Sequence, residues 1–258
     1  MFRYSRWLSV PLLAIAAPLA SANTLTVGPA GSGATYTDIQ PAVDAAAPGD
    51  TILVLPGFYG SFAVSKPIHV TGAGSSLIPG TTTFVLGTAE VLGLPPGAGA
   101  SIGGMRVTTG PIRLAGNQAP VELFDLPNAI SIEHCDRVLI ADASLGWLTV
   151  ASSTVWLAGA SLDGGNGQNW GPCSFVPPSG LAPGRPAIDA TNAVVYLAET
   201  SVRGGNGASC QTLGFSSYGP AGPAVRSVGS VIKHVGGPGS LVAPGANTTL
   251  GSAPPTLS

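Results

Sequence analysis

The chain has 258 residues, a formal net charge of −2 and only 9% charged residues, against about 25% in an average soluble protein. Its ten Lys and Arg residues are too few and too dispersed to indicate nucleic-acid binding. Hydrophobic residues make up 45% of the chain, which excludes an intrinsically disordered protein, although 37 Gly and 24 Pro residues predict frequent turns.

Residues 1–22 are predicted to be a secretory signal peptide. Two arginines precede an apolar run, residues 7–19, which leads into the small-x-small cleavage pattern Ala20-Ser21-Ala22. The run is short for a bilayer span and contains two prolines, so a membrane anchor is the weaker alternative. We expect the mature chain to begin at Asn23, to be extracellular or in the cell envelope, and to have no membrane span.

One short amphipathic helix is predicted near the start of the mature chain. Apolar residues recur at helical spacing up to Ala46, which indicates a helix over residues 39–46. Asp38 is suited to the N-cap, with Thr35 and Thr37 as alternatives. If Asp38 caps the helix, Pro41 falls at the third helical position, where its missing N–H had no intrahelical partner to lose.

After the helix the chain changes to short β-prone runs. Pro48-Gly49-Asp50 supplies the stop and the turn, and residues 51–55 form a continuous apolar run that predicts a strand buried on both faces. No second helix of ten or more residues is visible, which leaves a sandwich, a barrel or a parallel solenoid. Further runs bounded by Gly, Pro, Asn or Asp cover residues 81–87, 89–94, 101–108, 112–115, 121–125, 129–133 and 138–141.

Internal repeats favour the solenoid. Residues 155–167, VWLAGASLDGGNG, align with residues 195–207, VYLAETSVRGGNG, at an offset of 40. Residues 138–145, VLIADASL, align with residues 155–162 at an offset of 17. Self-similarity at such periods is typical of stacked coils that bury each other's faces, and the longer period predicts a coil with an inserted loop.

The inserted loops are the Gly/Pro-rich residues 168–185 and 208–222, each of which follows a GGNG sequence. Each loop carries one cysteine, Cys173 or Cys210. Because a solenoid places equivalent loops side by side, a disulfide between these two cysteines is predicted in an oxidising compartment. Cys135 is left over and is predicted to be a buried free thiol.

The GGNG sequence itself has two interpretations. Gly-Gly-x-Gly repeats bind calcium in β-rolls, where the glycines come in tandem nonapeptides with an aspartate ligand. Here the two copies are isolated, so a tight turn that starts the loop is favoured and calcium binding is the alternative.

The stretch from Leu25 to Gly74 carries a family resemblance. VGPAGSGATYTDIQPAVDAAAPGDTILVLPGFY, followed by KPIHVTGAG, resembles the amino-terminal segment of pectin methylesterases and of other pectin lyase-like proteins. The resemblance implies a single-stranded right-handed parallel β-helix whose open end is capped by the helix. It implies no catalytic residue in this stretch.

These observations together predict an all-β protein with one short N-terminal capping α-helix. The right-handed parallel β-helix is expected over residues 23–243, and residues 244–258 are expected to form a disordered tail. Capping is the expected role of the helix, because unpaired strand groups at an open end would otherwise recruit other chains.

The catalytic motifs of pectin methylesterases are not matched. The resemblance implies two active-site aspartates, one in a D-F-I-F-G-like motif, and an arginine in an L-G-R-P-W motif. This chain has only Gly184-Arg185-Pro186, which lies inside a Pro-rich loop without an acidic partner. Arg185 is therefore not assigned a catalytic role, and the catalytic residues stay unknown.

The repeat register gives one line of candidate binding residues. The offsets of 17 and 40 place Asp142, Gly159 and Glu199 on one line of the coil, and Asp125 precedes them. Stacked coils lie ~4.8 Å apart, so carboxylates on this line would be close enough to share a cation such as calcium. Ordinary solvated positions are the alternative interpretation.

Asp163 and Arg203 form a second candidate set, because they also share a register position. An ion pair between neighbouring coils, worth under ~1 kcal/mol if exposed, is the simpler interpretation. The other is a sugar-binding edge, with Trp170 of the adjacent loop stacking on a ring. No metal site is predicted at residues 133–136, EHCD, since successive side chains of a strand alternate in direction.

Two functions from different classes remain. The first is a noncatalytic extracellular protein that binds a polysaccharide or a cell-surface glycan through its Gly/Pro-rich loops. The second is a polysaccharide lyase or carbohydrate esterase with a divergent active site and a pectin-like substrate. Scarce charge and the missing catalytic motifs favour the first, with no cofactor other than the calcium considered above.

Overall fold

The structure is a computed structural model that describes residues 22–78, 80–166, 183–207, 209–212, 215–218, 220–235 and 242–243. Within these ranges the chain forms one α-helix and 25 β-strands. The strands form five sheets, four of which are parallel throughout. None of the helical segments described is long and apolar enough to cross a bilayer.

Two long parallel sheets run through the molecule. Sheet 1 has nine strands: β1 (Thr24–Val27), β2 (Thr51–Val54), β5 (His69–Gly72), β8 (Ala100–Gly103), β11 (Val121–Phe124), β13 (Val138–Ala141), β16 (Thr154–Ala158), β19 (Val194–Ala198) and β24 (Val231–Val235). Sheet 2 has seven: β4 (Phe62–Val64), β7 (Ala89–Leu92), β10 (Ile112–Ala115), β12 (Ile130–Glu133), β15 (Leu148–Ala151), β18 (Ile188–Thr191) and β23 (Val225–Val228).

Two shorter parallel sheets are formed by strands that, along the chain, follow a strand of sheet 1. Sheet 3 contains β3 (Gly57–Tyr59), β6 (Thr83–Val85) and β9 (Arg106–Val107). Sheet 4 contains β14 (Ser144–Leu145), β17 (Ser161–Asp163), β20 (Ser201–Arg203) and β25 (Val242–Ala243). The second long loop holds an antiparallel hairpin of β21 (Ser209–Thr212) and β22 (Phe215–Tyr218), which the sequence did not predict.

A typical coil passes once through sheet 1, then through sheet 3 or 4, then through sheet 2. The coil of β13, β14 and β15 does this within residues 138–151, and the next coil begins with β16. Each strand pairs in parallel with the equivalent strand of the neighbouring coil, for example β13 with β16. The predicted stack of parallel coils in an all-β chain is therefore confirmed.

The repeat offsets read from the sequence are the hydrogen-bonded register. Val155 pairs with Val138 on one side and with Val195 on the other. These valines and the leucines that follow them at 157 and 197 are at most 1% exposed, since alternate residues of each strand point into the solenoid. Each coil thus buries the apolar face of its neighbours, as the repeats predicted.

The prediction that residues 51–55 form a strand buried on both faces is wrong. Leu53 in β2 is 40% exposed, whereas Ile52 and Val54 on either side are fully buried. A solenoid sheet has one inner face only, and its outer face meets solvent unless another element covers it. The continuous apolar run therefore reflects an exposed leucine rather than a second buried face.

Left-handed residues form two of the corners. One column follows the strands of sheet 1 and consists of Gly104, Asp125, Asp142, Gly159 and Glu199, with φ from 46° to 65°. The other follows the strands of sheet 2 and consists of Gly93, Gly116, His134, Ser152, Asn192 and Gly229. A single residue at positive φ turns the chain sharply, which explains why the predicted run over residues 101–108 is two strands.

The residues directly after the second left-handed column carry buried polar side chains, and hydrogen bonds made by these side chains join successive coils. Asn117 accepts a hydrogen bond from the Leu94 amide at 3.0 Å, and its own amide group donates to the Val91 carbonyl and to the Cys135 sulfur. The Cys135 amide in turn donates to the Ser153 hydroxyl at 2.9 Å. Because these groups satisfy backbone atoms that the strands leave unpaired, their burial carries no desolvation penalty from a missing partner. Cys135 is the predicted buried free thiol.

The helix α1 (Ile39–Ala45) covers the first coils. Asp38 is its N-cap, as predicted, and the Asp38 carboxylate accepts from the Ile39 amide at 2.8 Å and from the Gly60 amide at 3.0 Å. At the other end the Lys66 ammonium donates to the main-chain oxygens of residues 44 and 46, where a cation offsets the helix dipole. Three helix side chains are buried against the solenoid: Ile39, Ala42 and Val43.

Replacing Val43 with Asp is expected to uncover the end of the solenoid. Val43 is 2% exposed, so the variant must bury an unpaired carboxylate or release the helix, and we expect a loss of stability of more than about 3 kcal/mol together with aggregation. Ala45→Asp, on the exposed side of the same helix, is the matched control. Urea unfolding and light scattering measure both effects, and a monomeric Val43→Asp variant of unchanged stability would show that the helix is not a cap.

Candidate functional site

A groove runs along the corner where the coils enter sheet 1. Three successive coils pass this corner with residues that lack long side chains, Pro67, Gly99 and Pro120. The next coil passes it with Arg137, which closes that end. The missing side-chain volume leaves a groove of about 290 Å³.

The outer edge of the groove is one column of outward-facing residues on sheet 1. His69 is the register partner of Ser101, and Ser101 is the register partner of Glu122. Leu139 continues the column in the following coil. Four consecutive coils therefore present an imidazole, a hydroxyl, a carboxylate and an isobutyl group side by side.

His69 and Ser101 are in direct contact. The His69 Nδ1 atom and the Ser101 hydroxyl are 2.8 Å apart, and Ser101 is 8% exposed whereas His69 is exposed. With Nδ1 as acceptor, Ser101 donates its proton and the neutral ring carries its own proton on Nε2. A serine hydroxyl bonded to an imidazole nitrogen is the contact through which a histidine activates a serine nucleophile.

The same column continues as an aromatic stack beyond Leu139. Trp156 and Tyr196 are register partners, with ring centroids 5.2 Å apart and ring planes within 3° of parallel. The Lys233 ammonium lies 5.3 Å from the Tyr196 centroid. Because the rings stack along the coil axis, they cover each other's faces and leave their edges toward solvent. Small residues flank them in the next outward column: Ala141, Ala158 and Ala198.

The acidic line predicted from the repeats exists, but a backbone requirement accounts for it. Asp125, Asp142, Gly159 and Glu199 occupy the left-handed corner that follows sheet 1. Gly and Asp tolerate positive φ better than most residues, which explains three of the four positions without any ligand. The Asp125 carboxylate accepts a hydrogen bond from the Ser75 hydroxyl at 2.7 Å.

The gap in the acidic line at Gly159 has a steric cause. A Cβ atom at position 159 would lie 2.7 Å from the Asp142 Oδ1 atom, so the carboxylate of one coil occupies the space of the next residue's side chain. In the ranges that the structure describes, no group of three His, Cys, Asp or Glu side chains is arranged to hold a metal ion. The gap separates Glu199 from Asp125 and Asp142, so the line brings no three carboxylates together.

Asp163 and Arg203 are register partners on sheet 4, as predicted. Their side chains do not form the expected ion pair: among the described residues the acid–base contacts join Glu90 to Arg113, Glu133 to the His134 ring and Asp189 to Arg226. Both Asp163 and Arg203 are exposed, and solvation of the two charged groups competes with their attraction.

The structure describes no side chain for three of the predicted residues. Trp170 and Cys173 lie outside the described residues, and Cys210 belongs to β21 without a described side chain. The disulfide between Cys173 and Cys210 and the sugar-stacking role of Trp170 therefore stay predictions.

The GGNG glycines are needed for close packing rather than for a turn of unusual φ. Gly164, Gly165, Gly204 and Gly205 all lack positive φ. A Cβ atom on Gly205 would overlap the carbonyl oxygens of Gly164 and Gly165 in the neighbouring coil. The two loops thus leave and rejoin the solenoid through stems that touch backbone to backbone.

Hydrogen bonds join these stems into a seam, which we call the glycine seam. The Arg185 amide donates to the Gly165 carbonyl at 2.7 Å, the Gly205 amide to the Arg185 carbonyl at 2.9 Å, and the Gly222 amide to the Gly205 carbonyl at 2.7 Å. The asparagines of the two GGNG copies also meet, since Asn166 Oδ1 accepts from the Asn206 amide at 2.9 Å. The two glycines and the asparagine of GGNG thus each have a structural role, in close packing or in hydrogen bonding.

Arg185, the arginine of the partial Gly-Arg-Pro match, packs against an aromatic ring. Its guanidinium carbon lies 5.3 Å from the centroid of the Trp147 ring, a cation–π arrangement. Gly165 lies beside both groups, since a Cβ atom there would come within 3.3 Å of Arg185 Cδ and 3.7 Å of the Trp147 ring. This contact accounts for Arg185 without a catalytic role.

Comparison with known protein families, with curated proteins and with solved structures finds no match to this chain.

Two features of the outward-facing column on sheet 1 were not predicted from the sequence. The stack of Trp156 on Tyr196 could have been found, since the two residues align in the repeat. No sequence pattern indicates the contact of His69 with Ser101, because the two residues are 32 positions apart and belong to coils of unequal length.

Replacing Gly205 with Ala is expected to open the glycine seam. Because the added methyl group would overlap backbone oxygens that have no rotamer to change, we expect a loss of about 1–3 kcal/mol. Gly146→Ala is the matched control, since a Cβ atom there meets no atom within 4 Å. Thermal unfolding of both variants measures the difference, and equal melting temperatures would contradict a close-packed seam.

Proposed function

We propose that this protein is secreted and binds an extended polysaccharide or cell-surface glycan without chemical conversion. The observation that carries the proposal is the single outward column of sheet 1, which runs from the groove at His69 through Leu139 and the Trp156–Tyr196 stack to Lys233. Six coil steps at ~4.8 Å give this binding track a length of roughly 29 Å. Such a track suits a linear polymer better than a compact small molecule.

The chemistry of the track supports a sugar ligand. The groove offers hydrogen-bonding groups from His69, Ser101, Glu122 and Arg137 beside apolar walls. The stack then offers indole and phenol edges beside a column of alanines. Pairing polar groups with aromatic surface matches the mixed polar and apolar character of sugars. The loop residue Trp170 remains a further proposed contact.

Three finer assignments belong to the same proposal. The signal-peptide pattern supports secretion with cleavage after Ala22. The right-handed rule for crossovers between parallel strands supports the right-handed form of the β-helix. The N-terminal resemblance supports a pectin lyase-like scaffold on which the family's catalytic groups are absent.

Trp156→Ala is expected to weaken glycan retention by about tenfold, or about 1.4 kcal/mol, because it removes both a ring edge and the neighbour of Tyr196. The measurement is a pull-down of the mature protein on insoluble and immobilised polysaccharides, with and without calcium. Phe84→Ala is the matched control, since Phe84 stacks on Phe58 in sheet 3 at the same 5.2 Å centroid distance. Loss of retention in Trp170→Ala with full retention in Trp156→Ala would move the binding site to the loop.

A second candidate function, an esterase acting on acylated sugars, is favoured by one observation, the 2.8 Å contact of His69 with Ser101. Ser101 Oγ would attack the ester carbonyl carbon while His69 Nδ1 takes the hydroxyl proton. His69 would then pass that proton to the sugar oxygen as its bond to the carbonyl carbon breaks, which leaves the acyl group on Ser101. Water would next attack that acyl group while His69 takes a proton from the water and returns it to Ser101 Oγ, which releases the acid. Arg137, the single Lys or Arg among the described residues that line the groove, is the available group for the oxyanion.

Release of acetate from an acetylated polysaccharide, with p-nitrophenyl acetate as a small-ester probe, tests the esterase. If the pair is catalytic, Ser101→Ala should lower the rate by at least about 100-fold. Ser144→Ala, which removes an exposed serine of sheet 4, should not change the rate. Binding without acid release leaves the noncatalytic function, and unsaturated products would instead indicate a lyase and direct attention to Asp142 and Glu199.

A further inference from the structure

A buried carboxylate holds the start of the first strand. Asp50 is 4% exposed and lies immediately before β2. Its Oδ1 atom accepts from the Asn23 amide at 2.8 Å, and its Oδ2 atom accepts from the Ala47 amide at 2.8 Å. The Asn23 carbonyl accepts from the Thr51 amide at 2.9 Å, which closes the same corner. One carboxylate thus joins β1, the end of the helix α1 and β2.

The nitrogen that Asp50 binds is also the nitrogen that signal-peptide cleavage would free. Ala20-Ser21-Ala22 predicts hydrolysis of the peptide bond between Ala22 and Asn23. Ala22 is exposed, so its removal costs no packing. The sequence pattern and the hydrogen bond are independent observations, and both point to the backbone nitrogen of Asn23.

We propose that signal-peptide cleavage after Ala22 converts the Asn23 nitrogen into an α-ammonium group that forms an ion pair with Asp50 and locks the N-terminal cap. Signal peptidase adds water across the bond: the hydroxyl goes to the Ala22 carbonyl carbon, and the Asn23 nitrogen gains a proton and is protonated again at neutral pH. The neutral N–H donor thereby becomes a charged donor at the same position. The inference rests on the proposed secretion.

The physical reason for the gain is charge assistance at a buried acceptor. Hydrogen bonds from a cation to a carboxylate are roughly twice as strong as neutral ones. The other charged group near Asp50 is Lys66, whose ammonium is already bonded to the main-chain oxygens of residues 44 and 46 at the end of α1. The new ammonium therefore adds the direct cationic partner that Asp50 lacks before cleavage.

The pH dependence follows from the two partners. The amides of Asn23 and Ala47 lower the pKa of Asp50, so its contribution is present above the unfolded value of about 3.9 and is lost as the pH falls through the folded value. Pairing raises the pKa of the α-ammonium above its ordinary value of about 7.7. Its contribution is therefore complete below that pH and is lost as the pH rises through the folded value. Stabilisation by the pair is expected between these limits.

The experiment compares three otherwise identical chains, released from a fusion protein so that secretion is not required. One begins at Asn23, one begins at Ala22, and one begins at Asn23 with an acetylated nitrogen. At pH 6.5 the chain that begins at Asn23 is expected to melt about 2–4 °C higher than the other two. The difference should disappear at pH 10.5 and in the Asp50→Asn background, where the acceptor charge is missing.

Equal melting temperatures of the three wild-type chains at pH 6.5 would overturn the ion pair. A difference that persists in Asp50→Asn would also overturn it, because the effect would then come from chain length or terminal charge alone. If Asp50→Asn does not fold, the comparison at pH 10.5 decides, because a difference that persists there cannot come from a charged α-ammonium group. N-terminal sequencing of the exported protein separately tests cleavage after Ala22, so a failure of the proposed secretion is distinguished from a failure of the ion pair.

Discussion

The in-register pairing of parallel strands from coil to coil is the constraint on which the rest of the structure depends. Parallel pairing places equivalent residues of successive coils ~4.8 Å apart. The environment of each side chain is therefore set mainly by its counterparts above and below. Val138, Val155 and Val195 form one such column inside the solenoid, and His69, Ser101 and Glu122 form another outside it. Core, corners and binding track are all columns of this kind.

The residues at the corners show that one column can have two explanations, a ligand site or a backbone requirement. The residues after sheet 1 are acidic often enough to suggest a cation site, yet their common property is positive φ. Glycine and aspartate suit that conformation, whereas glutamate does so less well. Glu199 is thus the member of this column that the backbone explains least. His134 holds the corresponding place in the second column, beside the Glu133 carboxylate at 3.6 Å.

Much of the fold was predictable because the chain repeats. The aligned valines and serines at offsets of 17 and 40 gave the register directly, and Asp38 with its following apolar stripe gave the helix and its cap. The candidate site was less predictable. The coil that contains residues 73–82 is lengthened by a loop, so no constant offset connects His69 to Ser101. The GGNG glycines were noticed, but their cause is contact between two backbones in space, which spacing along one chain does not reveal.

The glycine seam has an evolutionary consequence. Two long insertions leave the solenoid at the same corner, and the stems are joined by backbone hydrogen bonds that involve no side chain other than asparagine. A junction made of backbone is indifferent to what lies beyond it. Selection can therefore change the length and composition of either insertion without disturbing the coils, in the way that an antibody framework tolerates new hypervariable loops. Insertions of different length and composition are thus compatible with the same coils at this corner.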